Sequence, residues 1–98
     1  MKTAVNKIAL NGASWISKDD FYNALLPALG APPFHGRNLD ALEETLASDD
    51  FNEVRQPLAI TIFGADQMSV DARGVVDRFS QLVTDLKADG HKITLALE

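Results

Sequence analysis

Cysteine is absent from this 98-residue chain, which excludes disulfides, thiolate zinc sites and cysteine nucleophiles and agrees with a reducing compartment. Proline and glycine are sparse, at four and six residues. With no low-complexity run and no internal repeat, the chain lacks the marks of disorder or of a stacked-repeat architecture. No apolar stretch approaches the length that spans a bilayer. The opening MKTAVNKIALNGASW is interrupted by Asn6 and Lys7, unlike a secretory signal. The expected location is therefore the cytoplasm.

Motifs of chemistry are missing as well. There is no GxGxxG, phosphate loop or nucleophile elbow, and Ser14, Ser17, Ser48, Ser69 and Ser80 stand in no local base motif. His35 and His91 have neither HExxH nor paired-histidine spacing, so no metal and no cofactor are expected. The most informative absence is local. From Asp40 to Glu53 there is no basic residue, while six of the fourteen acids fall there: Asp40, Glu43, Glu44, Asp49, Asp50 and Glu53. The remaining eight acids are nearly balanced by nine basic residues, so the net charge of -5 resides in this stretch. Such a lobe repels nucleic acid and attracts a cationic partner.

What is present fits one domain over residues 1–98, since 46% hydrophobic content in a chain this short builds one modest core. A strand is expected over Ala4–Leu10, ended by the turn pair Asn11 and Gly12. Ser17 and Asp20 have capping-box spacing ahead of a helix that buries Phe21, Leu25, Leu26 and Leu29, stopped by Gly30 and the prolines at 32 and 33. Asn38 is a good N-cap for a short helix whose buried stripe is Leu39, Leu42 and Leu46. At about 100° per residue, Asp40 and Glu44 share a flank away from that stripe, with Glu43 nearer its edge. Like charges at this spacing cost a few tenths of a kcal/mol, roughly.

The apolar run Pro57–Phe63 reads as a central strand covered on both faces. A helical pattern follows from Ala65 to Ala88, with Gly74 a potential break, and Lys92–Leu97 supplies a last strand after Gly90. Strands separated by helices give a small α/β fold: a three-stranded parallel sheet packed with three or four helices.

Gly36, Asn38, Leu39, Asp40, Ala41 and Leu42 in FHGRNLDALEETL resemble the barstar-like inhibitors of extracellular bacterial ribonucleases, which typically show YYGENLDALWD there. The resemblance extends over nearly the whole chain, with a longer loop between Ala47 and Gln56. It implies a barstar-like fold and a non-enzymatic, intracellular immunity protein that forms a 1:1 complex with a secreted or delivered ribonuclease. In that family the second helix and the loop before it enter the cationic substrate cleft. By position, Asp40 keeps the acid at the helix start and Glu44 stands at the family's energetically dominant aspartate. Phe34 is the aromatic facing the enzyme, His35 lies at the rim, and backbone from Gly36 through Arg37, Asn38 and Leu39 to Ala41 adds contacts. Asp85 matches a peripheral glutamate. Glu43 replaces an interface tryptophan and Glu44 is one methylene longer than aspartate, which implies a partner diverged from the family's best-known enzyme.

The implied partner also relieves the clustered acids, since a basic cleft would neutralise them. Two other readings remain open on the residues alone: a general interaction module for a basic partner unrelated to nucleases, and a small carboxylate-based enzyme. Adjacent turns of an exposed helix provide no walled cleft for the latter. Trp15 is expected in the core or at a sheet edge.

Overall fold

A computed structural model of the chain describes residues 5–31, 36–48 and 56–98. Its elements in chain order are β1 (Asn6–Asn11), α1 (Lys18–Leu29), α2 (Leu39–Ser48), β2 (Leu58–Phe63), α3 (Val70–Ala88) and β3 (Ile93–Leu97). The strands are parallel in the order β1-β2-β3. This is the expected three-stranded parallel sheet, with three helices packed on it.

Register explains which side chains form the core. Ile8 lies opposite Ile60, which lies opposite Leu95, and Leu10 lies opposite Ile62 and then Leu97. Alternation then puts Ile8, Leu10, Leu58, Ile60, Ile62 and Ile93 into one buried cluster with the helices. The other face carries Lys7, Ala9, Thr94 and Ala96, all exposed. The expectation that β2 is covered on both faces therefore does not hold: Ala59 and Thr61 are half-buried and Phe63 is 44% exposed. In the order β1-β2-β3 both crossovers advance in one direction, and with a common right-handed sense they lay their helices on a single face.

Against that face pack the aromatic rings. Phe21 meets Trp15 edge-on at 6.0 Å, Tyr22 at 5.0 Å and Phe79 at 5.2 Å. Phe21 and Phe79 are fully buried, and each such side chain contributes roughly 1.5–3 kcal/mol by leaving water. Trp15 is buried, as expected.

The helix ends follow the sequence signals. At the start of α1 the Asp20 carboxylate accepts from the N–H groups of Ile16 (2.8 Å) and Ser17 (3.2 Å), and those two bonds hold its pKa below the ordinary 3.8. Gly30, at φ 67°, closes α1: its N–H donates to the Pro27 carbonyl and that of Ala31 to the Leu26 carbonyl, both at 3.0 Å. The helix expected from Ala65 begins only at Val70, and Gly74 does not break it. Ser69 is the cap, its Oγ accepting from Ala72 N–H at 3.2 Å. The spacing of Ala65 and Met68 mimics a helix because both are buried, but they lie in a turn.

Two sets of loop contacts hold the layers in place. After β2, Gly64 adopts φ 74° with its N–H on the Glu98 carbonyl at 2.8 Å, and an added Cβ would lie 2.7 Å from the Ala13 Cα. Ser69 N–H then donates to the Trp15 carbonyl at 3.0 Å, and its hydroxyl donates to the Ile16 carbonyl. The starts of α1 and α3 are thereby stitched side by side. At the opposite end, Gln56 Nε2 donates to the Leu46 carbonyl at 2.8 Å while its Oε1 accepts from Lys92 N–H at 2.9 Å. This ties the last turn of α2 to the start of β3.

Candidate functional site

Helix α2 forms where the sequence asks for it. The Asn38 side-chain oxygen accepts from Ala41 N–H at 2.8 Å, and the Asn38 carbonyl accepts from Leu42 N–H at 3.2 Å, as an N-cap requires. Leu42 is fully buried and Leu46 nearly so, while Leu39 packs against the core half-buried. Thr45 joins the buried stripe, its hydroxyl satisfied by the Leu42 carbonyl at 3.1 Å. Thr45 is missing from the apolar stripe visible in the sequence because a threonine does not register as an apolar position. Ala41 is half-buried beside it.

Gly36 has a steric role in this cap. A Cβ there would lie 3.0 Å from Asn38 Nδ2 and 3.2 Å from the Ala41 Cβ, so a larger residue crowds the capping side chain. The spacing Gly36, Asn38, Ala41 and Leu42 thus encodes one local device, a capped helix entering against the core.

On the opposite side Asp40, Glu43 and Glu44 are all exposed. Among the described residues none of the three has a cation within 4.0 Å; the ion pairs there are Arg37 with Asp19 and Arg73 with Asp77. The arrangement is a rigid helix with three unpaired carboxylates turned to solvent. It can bind cations, but it offers no walls on either side of a scissile bond. Among the described residues no group of His, Cys, Asp and Glu could hold a metal ion, and no helix is long and apolar enough to cross a membrane.

The side chain of Arg37, whose backbone is among the expected partner contacts, turns toward α1. Its Nη2 donates to Asn23 Oδ1 at 2.6 Å and to the Asp19 carbonyl at 3.2 Å, and the guanidinium lies 6.0 Å from the centre of the Tyr22 ring. The side chain therefore fastens the start of α2 onto α1. Asp85 stands apart on α3, exposed, with its carboxylate accepting from Gln81 Nε2 at 3.0 Å. Phe34, His35, Asp49, Asp50 and Glu53 lie outside the described residues, as does most of the loop expected to be longer than the family's. His91 sits in the turn after α3, its Nδ1 3.4 Å from Gln56 Nε2.

The structure adds a feature absent from any local motif. A groove between α1, the segment entering α2, and α3 brings Lys18, Tyr22, Arg37, Asn38, Asp40 and Arg78 together. Lys18 and Arg78 come from helices far apart in the chain, and nothing in the sequence near either marks the pairing.

A family model described as Barstar (barnase inhibitor) matches residues 5–98. No curated protein matches the chain.

Proposed function

The chain belongs to the barstar (barnase inhibitor) family, and from that membership we propose that it is an inhibitor of a bacterial ribonuclease, acting in the cytoplasm of the cell that makes the enzyme. Barstar-family proteins bind ribonucleases and are not themselves enzymes. The observation that carries the finer reading is the set of three exposed carboxylates, Asp40, Glu43 and Glu44, which among the described residues have no cationic partner, on a capped helix whose other side is anchored by Leu42 and Leu46.

Physically the arrangement favours binding in two ways. The unpaired acids are mildly self-repelling in the free protein, so arginine and lysine side chains of a basic cleft relieve a strain already present. Because the cap, the Arg37 tether and the leucine stripe hold the helix in place, little conformational freedom remains to be lost on docking. The carboxylates then occupy positions that RNA phosphates take in the cleft. Attraction over distance speeds encounter and weakens with salt, an effect for which this family's complexes are a standard illustration.

The test is a titration into a panel of small secreted bacterial ribonucleases, following RNA cleavage, beside Asp40→Ala and Glu44→Ala. Stoichiometric inhibition, weakened at least about tenfold in each variant and slower to set in at high salt, is the expected result. Inhibition that both variants retain would move the interface off α2. Absence of inhibition across the panel, with binding to another basic protein lost in both variants, would replace the ribonuclease by a different cationic partner.

A further inference from the structure

The groove at the junction of α1, α2 and α3 carries charge opposite to that of the whole chain. Lys18 opens α1, Arg37 precedes α2 and Arg78 lies midway along α3, so three cations from separate parts of the chain converge, against the carboxylates of Asp40 in the lining and of Asp19, 3.9 Å from Arg37 Nη2. Two of the three are unengaged. Among the described residues neither the Lys18 ammonium nor the Arg78 guanidinium has an ion pair or hydrogen bond. Arg37 commits Nη2 to α1 and keeps the rest of its five-donor fork.

Tyr22 is an independent observation at the same place. It is 3% exposed and lines the groove, yet among the described residues its hydroxyl has no hydrogen-bond partner. A buried phenol O–H normally finds one. Burial pushes its pKa up while Arg37 and Arg78 pull it down, so the oxygen lies within electrostatic reach of both guanidinium groups. The N-terminus of α1 is offset by the acids of its first turn, Asp19 and Asp20, so the positive character comes from the three side chains.

We infer that this groove is a binding site for a phosphate-class oxyanion, held by Lys18, Arg37 and Arg78, with the Tyr22 hydroxyl donating to one of its oxygens. A tetrahedral oxyanion spreads its oxygens in three dimensions, so two guanidinium groups, an ammonium and a hydroxyl arriving from three helices can each meet a separate oxygen, whereas a carboxylate crowds them onto two oxygens in one plane and carries less charge. The volume of about 240 Å³ admits the free anion or the phosphate end of a monoester. The site goes beyond ribonuclease inhibition and does not depend on it.

The experiment is a titration of the full ¹⁵N-labelled chain with sodium phosphate, against sodium chloride at equal ionic strength, followed by amide chemical shifts. Saturable shifts around Lys18, Asn38 and Arg78 in phosphate alone are expected. Lys18→Gln and Arg78→Gln should each weaken binding about tenfold, as loss of a charge-assisted contact does. Tyr22→Phe should weaken it by about threefold with the rest of the spectrum unchanged, which also reports that the fold is intact. Shifts that chloride reproduces overturn the assignment, and so does saturable binding that both charge variants retain. An acetate arm tests the ligand class, since acetate binding as tightly as phosphate overturns the assignment in favour of a carboxylate. A nucleoside monophosphate arm separates the sources: tighter binding than inorganic phosphate assigns the site to an ester, and equal binding to the free anion.

Discussion

Replacing Glu44 by lysine is expected to raise stability and abolish inhibition in the same molecule. Asp40 and Glu44 stand four residues apart on α2, both exposed and both without a cation within 4.0 Å among the described residues. A like-charge pair at this spacing costs roughly 0.2–0.5 kcal/mol, and an opposite pair with the acid on the N-terminal side returns a similar amount. Glu44→Lys should therefore stabilise by about 0.4–1 kcal/mol, which in a domain of this size corresponds to a rise in Tm of about 2–8 °C. Glu44→Gln removes only the repulsion and should give about half of that. Both gains are electrostatic and exposed to solvent, so they should nearly vanish at about 1 M salt, where the Debye length is about 3 Å. Thermal melts at low and high salt, run beside the ribonuclease titration, measure both consequences. A Tm that stays level or falls at low salt, or a gain that survives high salt, would refute the reasoning that these acids repel one another. Undiminished inhibition by the stabilised variant would remove Glu44 from the interface.

Two further outcomes follow from the fold. Gly64→Ala should destabilise by about 2 kcal/mol or more, because φ 74° disfavours any side chain and the new Cβ would sit 2.7 Å from the Ala13 backbone; urea unfolding should show a lowered midpoint with an unchanged slope. The Asp20 carboxylate has a folded-state pKa below its unfolded 3.8, so the stability it contributes is present above that value and is lost as pH falls through the folded one. Asp20→Asn should accordingly be less stable than the parent at neutral pH, the two urea midpoints converging in acid; curves that stay parallel to the lowest pH would count against the two backbone bonds as the cause.

How far the sequence reaches can be judged element by element. By itself it determined the element order, the caps at Asn38 and Gly30, the leucine stripe of α2 and the flank shared by Asp40 and Glu44, because helix periodicity and capping act within a few residues. It also carried the family resemblance, whose motif is a local steric device built from Gly36, Asn38 and Ala41. Tertiary structure alone decided the rest. An apolar run such as Pro57–Phe63 reads the same whether one or both faces are covered; strand order made the difference, since both crossovers place their helices on one side. The turn at Ala65–Met68 looked helical because its buried residues have helical spacing, and only the Ser69 cap and the Gly64 approach to Ala13 set where α3 begins. That the Arg37 side chain also braces the start of α2 against Asp19 and Asn23 of α1 shows in no local pattern. The cationic groove was invisible for the same reason: Lys18, Arg37 and Arg78 share no local pattern, and their charges become a site only when three helices bring them to one surface.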